Sequence, residues 1–308
     1  MTTLLYTHAA CIEHDPGPGH PETPDRLRAV LAALDGPEFE ALERREAPLA
    51  EIAQIERLHD AGYVGQVLAA VPAEGRVRLD PDTAVSPSSG EAALRAAGAV
   101  CAAVDAVVAG EARNAFCAVR PPGHHAERAR AMGFCLFNNI AIAAGQARAA
   151  HGLGRVAVVD FDVHHGNGTQ HMFEADAELF FASTHQYPHY PGTGAADERG
   201  VGNVVNVPLA AGAGSTEFRA AMTGTILPAL SEFDPDFVLI SAGFDAHAAD
   251  PLAMLNFSEA DYEWATAEVA RVAATCCQGR LVSTLEGGYD LGALGRSAAA
   301  HVRALMAA

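Results

Sequence analysis

Three polar residues occupy alternate positions in the otherwise apolar run VVDFDVHHGNG, residues 158–168. In a β-strand, whose side chains alternate with a period of two, Asp160, Asp162 and His164 would share one face. A buried carboxylate is strongly unfavourable unless a partner compensates its charge. Asp162 and His164 have the spacing of two ligands that hold one ion, so the run predicts a metal site.

A third candidate ligand, Asp245 in SAGFDAH, follows another predicted strand in the same way. Together with Asp162 and His164 it offers two oxygen ligands and one nitrogen ligand, which leaves the fourth position of a tetrahedral zinc ion for water. An open position is typical of a catalytic rather than a structural zinc site. Any one of these residues alone more often caps a helix or bonds to a loop, so the interpretation depends on all three.

Proton transfer at such a site needs further groups. Two carboxylate ligands nearly cancel the charge of a divalent ion, so bound water is acidified less than beside three neutral imidazoles and a separate base is required. His124 and His125 in RPPGHHA are the candidate bases, and Asp160 and Asn167 are available to fix their tautomers. Tyr289, which follows two glycines in LEGGYDL, is a candidate donor to a developing oxyanion.

The elements that must position these residues follow an alternating pattern. Apolar, β-branched runs alternate with Ala-rich helical stretches, which predicts a mainly parallel sheet with helices on both faces. Nearly every residue with catalytic potential lies after a strand, where open α/β sheets place their ligand sites. We predict strands near residues 115–119, 156–162, 178–184, 237–241 and 281–285, and helices near 89–109, 138–150, 216–232 and 258–277. Without an internal repeat or a long linker, residues 1–308 are interpreted as a single domain.

The composition limits the function classes. The chain has a net charge of −18 and no basic run, which argues against nucleic acid and fits a cationic or neutral substrate, although acidity also keeps proteins soluble. Its six cysteines form no C-x-x-C pair, as is typical of reduced thiols in a cytoplasmic protein. We expect no signal peptide, because the first residues, MTTLLYTHAACIEHD, have neither a basic segment nor a long apolar core. We expect no membrane anchor either, because Glu91, Arg95 and Asp105 interrupt the apolar helix.

The order of these motifs resembles that of the histone deacetylase and acetylpolyamine amidohydrolase family, which has the arginase/deacetylase fold. The resemblance runs through HDPGPGHPETPDRL, RPPGHHA, GFCLFNN, DFDVHHGNGTQ, YPGTG, NVPL, SAGFDAHAADPL and LEGGYDL, almost the whole chain. PPGHH and HHGNGTQ are similar to the class II branch, which has Asn at the place of Asn167 where class I members have Asp. The resemblance implies a single three-layer α/β/α domain with a mainly parallel central sheet.

It also implies a role for each candidate residue. The implied zinc ligands are Asp162, His164 and Asp245. The implied catalytic groups are His125 as the main base oriented by Asn167, His124 paired with Asp160 as an electrostatic helper, and Tyr289 as the hydroxyl that polarises the carbonyl. A potassium ion beside the zinc would involve Asp160, Asp162, His164, Ser183 and Thr184.

Substrate contacts are implied in the same way. Gly133, Phe134 and Tyr190 would line a narrow tunnel, and Arg26 would line an internal channel thought to pass acetate. Leu252 stands where a polyamine-selective class II relative has a gatekeeping Glu, so that device is missing. The segment DPDTAVSPSSGEAA resembles a loop at the tunnel rim, with Ala84 in place of the usual aromatic residue.

The implied reaction is zinc-dependent hydrolysis of an N-acetylated amine, either an acetylpolyamine or acetyl-lysine on a peptide. Three alternatives stay open: a longer acyl group or another small amide, a two-metal arginase-like ureohydrolase, and a non-catalytic binder of acyl-amines. We expect a cytoplasmic protein without nucleic acid or membrane partners, and a homo-oligomer is compatible with the family. The remaining histidines, among them His14, His59, His189 and His301, are expected to be mostly solvated or capping residues.

Overall fold

The computed structural model describes residues 2–308 and is built around one parallel sheet. The strands, in chain order, are β1 (Thr3–Thr7), β2 (Glu43–Glu46), β3 (Val77–Asp80), β4 (Thr83–Val85), β5 (Asn114–Cys117), β6 (Val156–Asp160), β7 (Leu179–Gln186), β8 (Val204–Leu209), β9 (Phe237–Ala242) and β10 (Leu281–Leu285). Eight of them form a sheet in the order β2-β1-β5-β10-β9-β6-β7-β8, in which every neighbouring pair is parallel. β3 and β4 form a separate antiparallel hairpin.

Helices connect the strands. They are α1 (Ala10–Glu13), α2 (Pro24–Ala33), α3 (Ile52–Ile55), α4 (Ala61–Ala69), α5 (Ser89–Val108), α6 (Asn139–His151), α7 (Asn167–Phe173), α8 (Ser215–Ala221), α9 (Leu227–Phe233), α10 (Glu259–Cys276) and α11 (Leu291–Ala307). A short 3₁₀ turn spans Pro37–Phe39, and a π-helical turn over Met222–Ile226 joins α8 to α9.

The helices cover both faces of the sheet. The hydroxyl of Tyr6 in β1 donates to the carbonyl of Ala102 in α5 at 3.4 Å. Tyr6 pairs with Cys117 in β5, so the preceding residue, Phe116, points to the opposite face, where its ring lies 5.3 Å from that of His301 in α11. α6 packs beside α5, and α2 and α10 pack beside α11. The predicted three-layer α/β/α architecture with a mainly parallel sheet is confirmed.

The four central strands, β5, β10, β9 and β6, are buried along their whole length. Parallel strands covered on both faces form nearly continuous apolar runs, which is why the sequence predicts their positions. Because these strands are parallel, their carboxyl ends meet at one edge of the sheet, and the loops that carry the candidate residues meet there as well.

Two predicted elements differ from the structure. The strand predicted to reach residue 162 ends at Asp160, so Asp162 and His164 lie in the loop beyond it. The N–H of Asp162 donates to Oδ1 of Asp160 at 3.0 Å and that of His164 to Oδ1 of Asp162 at 2.9 Å, and these local bonds compete with ladder pairing. The helix predicted over 216–232 is interrupted by the π-helical turn at Met222–Ile226.

Two expectations from composition also have an outcome. All six cysteines are unpaired and five of them are buried, as their apolar surroundings indicated. No helix within residues 2–308 combines the length and apolar character needed to cross a bilayer.

Candidate active site

Asp162, His164 and Asp245 come together beyond the carboxyl ends of the adjacent strands β6 and β9. One potential ligand atom from each residue lies within 4.8 Å of the other two, and all three residues are buried. Nδ1 of His164 lies 3.1 Å from Oδ1 of Asp162 and 3.2 Å from Oδ2 of Asp245. The structure thus assembles the three residues expected to hold a metal.

Backbone groups hold both carboxylates in place. The N–H of Gly287 donates to Oδ2 of Asp162, and the N–H of Val163 donates to Oδ1 of Asp245, each at 2.8 Å. A Cβ atom on Gly287 would lie 2.0 Å from Oδ2 of Asp245 and 2.5 Å from Oδ2 of Asp162. A side chain at position 287 is therefore incompatible with this arrangement of carboxylates.

The electrostatics of the cluster favour a cation. Burial lowers the pKa of His164, but the carboxylates of Asp162 and Asp245 outweigh that effect and raise it to about 10. Burial and the neighbouring Asp162 raise the pKa of Asp245. A divalent ion satisfies the same concentration of negative charge without a proton, and two carboxylates with one imidazole suit zinc. The donor set therefore fits a single zinc ion.

His125 has its tautomer fixed by a chain of contacts. Its Nδ1 lies 2.8 Å from Oδ1 of Asn167, and Nδ2 of Asn167 donates to Oε1 of Glu127 at 3.0 Å. Because Glu127 accepts from the amide nitrogen, the amide oxygen faces His125 and accepts its Nδ1–H, which leaves a lone pair on Nε2. Burial and the nearby His124 and His164 hold the pKa of His125 well below its usual range, so the ring is neutral.

The neighbouring His124, unlike His125, is protonated. Its Nδ1 lies 2.9 Å from Oδ2 of Asp160. Burial opposes its charge, but the carboxylates of Asp160 and Asp162 raise its pKa to about 10. The two rings have centroids only 4.0 Å apart. A neutral imidazole able to accept a proton thus stands beside a charged one.

His125 and His164 border a pocket of about 250 Å³. Its lining consists of Asp82, His125, Gly133, Phe134, His164, His189, Tyr190, Leu252 and Tyr289. The sequence indicated Gly133, Phe134, Tyr190 and Leu252 as substrate contacts, and all four line this pocket. It missed Asp82, although Asp82 lies within the segment that resembles a tunnel rim.

His189 was expected to be a solvated or capping residue, and it is a half-buried residue of the pocket lining. Its ring stacks on the ring of His164 with a centroid distance of 5.3 Å. Its Nε2 lies 3.2 Å from the carbonyl oxygen of Leu252, so this imidazole belongs to the pocket wall. Its position next to Tyr190, which was expected to line the tunnel, was the available signal.

One wall of the pocket is a tight turn against His125. Gly133 has φ of 56°, and a Cβ there would lie 2.4 Å from the His125 ring. The N–H of Gly133 donates to Oδ1 of Asp82 at 3.2 Å, and the N–H of Phe134 to the Thr83 hydroxyl at 3.0 Å. The hairpin strand β4 and its turn therefore hold this wall in place.

Tyr289 follows β10 and lies beside Arg26. Burial raises the pKa of Tyr289 well above its usual range, so its hydroxyl remains a hydrogen-bond donor. Arg26 is fully buried, with its guanidinium 4.8 Å from the centre of the Tyr289 ring. It donates to the carbonyls of Glu286 and Gly288 and to the carboxylate of Glu22. Arg26 is not among the residues that line the 250 Å³ pocket, and it supports the loop that carries Tyr289 from behind.

Two of the residues expected around potassium, Asp162 and His164, belong to the metal cluster, and the other three are Asp160, Ser183 and Thr184. Asp160 in β6 pairs with Ser183 in β7, and Ser183 and Thr184 are buried. The Ser183 hydroxyl lies 2.9 Å from Nδ1 of His185. The Thr184 hydroxyl oxygen is buried and has no hydrogen-bond partner within the part of the chain that the structure describes.

Three histidines that were expected to be mostly solvated or capping residues are buried, namely His14, His59 and His301. His301 lies between two hydroxyls, 2.6 Å from Thr266 and 2.8 Å from Ser283. The N–H of Asn138 donates to Nε2 of His59 at 2.8 Å. Polar partners brought by tertiary structure satisfy these rings, which is why the sequence alone suggested solvent.

The family model of the histone deacetylase domain matches residues 20–305. The chain is 39% identical to histone deacetylase 14, chloroplastic, of Arabidopsis thaliana, over 98% of this chain and 76% of that protein. It is 43% identical to the histone deacetylase-like amidohydrolase of Pseudomonas aeruginosa, over 88% of this chain and 73% of that protein.

Solved structures agree with the sequence comparison. The crystal structure of the HDA15 HD domain superimposes with a TM-score of 0.95 at 37% identity, covering 99% of this chain and 88% of that one.

Proposed function

Because the chain belongs to the histone deacetylase family and is an amide hydrolase, we propose that it is a zinc-dependent deacetylase that releases acetate from an N-acetylated alkylamine. One observation carries the proposal. His164 of the metal cluster, the neutral His125 and Tyr289 all line the same pocket. These are the groups that hydrolysis of an unactivated amide requires.

The metal ligands and His125 have separate roles in the proposed reaction. Zinc held by Asp162, His164 and Asp245 would supply Lewis-acid polarisation of the carbonyl and acidify a water molecule. Nε2 of His125 accepts a proton from the attacking water, and His125 then gives that proton to the leaving amine.

The other two groups act through charge and hydrogen bonding. The imidazolium of His124, kept charged by Asp160, favours the negative charge that develops beside it. The Tyr289 hydroxyl donates to the developing oxyanion, and the high pKa of this phenol keeps that donor protonated.

The pocket supports an alkylamine as substrate. Phe134 and Tyr190 give it aromatic walls suited to an extended methylene chain. Asp82 is the carboxylate among the lining residues outside the metal cluster, and with the net charge of −18 it favours a cationic amine. Leu252 lines the pocket with an apolar side chain at a position where a carboxylate would recognise a second amine. This position therefore does not select polyamines over lysine, and the proposed substrates include both acetyl-lysine and acetylpolyamines.

A two-metal ureohydrolase is less well supported. Within residues 2–308, Asp162, His164 and Asp245 form the one cluster of three or more potential ligands. His124, adjacent in space, pairs with Asp160 instead, with 2.9 Å between its Nδ1 and Oδ2 of Asp160. Two metal ions per chain would favour the ureohydrolase, and one would favour the deacetylase.

We also propose that residues 1–308 are one catalytic domain and that potassium binds beside Asp160, Asp162, His164, Ser183 and Thr184. The oxygen-rich pair Asp160 and Ser183, and the unpartnered Thr184 hydroxyl, support the potassium site. The cytoplasmic location, a homo-oligomer, and the lack of nucleic acid and membrane partners stay predictions.

Acetate release from a substrate panel tests the proposed function. The panel contains an acetyl-lysine peptide, N-acetylputrescine, N⁸-acetylspermidine and a butyryl-lysine peptide, each tested with zinc-loaded and chelator-treated protein. We expect acetate from at least one acetylated amine, dependent on zinc, and a fall on the order of 10²- to 10⁴-fold for His125→Ala. Binding of the substrates without acetate release would contradict the proposal and identify a non-catalytic binder. Faster release of butyrate than of acetate would instead support the longer-acyl alternative.

A further inference from the structure

A buried carboxylate outside the metal cluster accepts hydrogen bonds from the backbone at Tyr289. Oδ2 of Asp250 accepts the N–H of Tyr289 at 2.6 Å and that of Asp290 at 3.3 Å. Its other oxygen, Oδ1, accepts the N–H of Leu252 at 3.0 Å. Asp250 is only 8% exposed, and the groups that donate these three hydrogen bonds are backbone N–H groups rather than cationic side chains. It therefore joins the loop after β9 to the loop after β10 through three backbone donors.

The backbone on either side of Tyr289 is held as well. Gly288, in the left-handed region with φ of 124°, precedes it, and the Gly288 carbonyl accepts a hydrogen bond from Arg26. Asp290 follows it and caps α11, since its Oδ1 accepts the N–H of Ala293 at 2.8 Å. The N–H of Tyr289 itself is held by Asp250.

We propose that Asp250 is a positioning residue that sets the place of the Tyr289 hydroxyl in the pocket. The inference rests on the proposed function, in which that hydroxyl donates to the oxyanion. The hydroxyl lies at the far end of the side chain, so a small rotation at the backbone displaces it by a larger distance. A displacement near 1 Å at a catalytic group lowers the rate on the order of 10²-fold.

The same carboxylate connects Tyr289 to a second residue of the pocket lining, Leu252. Leu252, whose N–H Asp250 accepts, lines the pocket, and its carbonyl oxygen lies 3.2 Å from Nε2 of His189. Asp250 thus fixes the hydroxyl donor relative to the surface that the substrate chain would contact. A carboxylate suits this task because both of its oxygens accept, whereas an amide would have to turn its NH₂ group toward one of the N–H donors.

A double-mutant cycle tests whether Asp250 acts through Tyr289. Asp250→Asn, Tyr289→Phe and the double variant are compared with the wild type in acetate release, using the best substrate of the panel. The matched control is Asp236→Asn, because Oδ2 of Asp236 also accepts a backbone N–H, that of Arg155, but at the opposite end of the sheet. Zinc content and thermal unfolding are measured for each variant.

We expect Asp250→Asn to lower kcat on the order of 10- to 100-fold with little change in KM, while Asp236→Asn leaves kcat unchanged. In the Tyr289→Phe protein, which lacks the hydroxyl, Asp250→Asn should lower kcat by no more than about twofold further. Equal losses in both backgrounds would overturn the inference while leaving the proposed function intact. A fully active Tyr289→Phe protein would instead contradict the proposed function.

A second variant covers the case in which Asp250→Asn folds poorly. Asp250→Glu keeps both acceptor oxygens on a side chain one methylene longer. We expect it to retain more activity than Asp250→Asn at a similar zinc content. A loss of kcat as large as that of Asp250→Asn would indicate that packing, and not hydrogen-bond acceptance, explains the residue, and would overturn the inference.

Discussion

Replacing Glu22 by Gln removes the carboxylate that pairs with two buried arginines, Arg120 and the Arg26 that packs against Tyr289. Oε1 of Glu22 accepts from Nε of Arg120 at 2.5 Å and from Nη1 of Arg26 at 2.9 Å, and Oε2 accepts from Nη2 of Arg120 at 2.7 Å. All three side chains have no exposed surface. His14 adjoins the cluster, but burial lowers its pKa to about 4, so it contributes no charge at neutral pH.

The expected loss of stability is large because the guanidiniums cannot reach water. Removal of one partner from a buried ion pair is unfavourable by about 3–5 kcal/mol. The unfolding entropy of about 2.1 cal/mol/K per residue gives about 0.65 kcal/mol/K for a chain of this size. Glu22→Gln should therefore lower Tm by about 5–8 °C near neutral pH.

The effect should also depend on pH in a defined direction. Burial raises the pKa of Glu22, but Arg120 and Arg26 outweigh it and lower the pKa to about 2. In an unfolded chain a Glu has a pKa of about 4.3. Because the folded pKa is the lower one, the carboxylate's contribution to stability is complete above about pH 4.3 and is lost as the pH falls toward 2.

Thermal unfolding followed by circular dichroism, at several pH values across this window, measures both effects. The matched control is Glu38→Gln, since Glu38 pairs with Arg303 at 2.8 Å where both side chains are about half exposed. Exposed pairs contribute about 0–1 kcal/mol, so the control should lose little. If Glu22→Gln lowers Tm no more than Glu38→Gln does, or if the difference from wild type does not shrink in acid, the reasoning is refuted.

Three further substitutions address the site. Gly287→Ala would place a Cβ 2.0 Å from a carboxylate oxygen of the metal cluster, so its zinc content should fall well below one per chain, while Gly65→Ala, with open space at its Cβ, should bind zinc normally. His125→Ala should lower kcat more than His124→Ala does, because only the neutral ring can accept a proton, and a larger loss at His124 would reverse the assignment. Leu252→Glu would add a carboxylate to the pocket lining and should raise the ratio of acetylpolyamine to acetyl-lysine turnover; an unchanged ratio would show that position 252 does not contact the second amine.

The sequence predicted the sheet best where strands are buried on both faces. Strands near 237–241 and 281–285 agree with β9 and β10 because continuous apolar runs mark them. β2, Glu43–Glu46, was not predicted because an exposed edge strand of charged residues carries no apolar pattern.

The metal cluster was predictable for a related reason. Its residues follow predicted strands, and adjacent parallel strands bring such residues together. The error at Asp162 and His164 was one of local structure, since carboxylate-to-backbone bonds end β6 two residues early without separating the ligands.

Groups that depend on distant partners could not be predicted. Asp250 was not singled out, because it is 39 residues from Tyr289 in the chain and only the adjacency of β9 and β10 joins their loops. Glu22 was not singled out either, since its partner Arg120 is 98 residues away. A burial pattern identifies which residues are inside, but the pairing of polar side chains within the core depends on tertiary contacts.

Titration of the metal-free chain with zinc, followed by acetate release, tests the central claim most directly. If Asp162, His164 and Asp245 hold a single catalytic zinc, activity rises in proportion to added zinc and reaches its plateau at one equivalent per chain, and Asp245→Ala neither binds zinc at that level nor releases acetate. Full activity in the metal-free chain, or a requirement for a second equivalent, would contradict it.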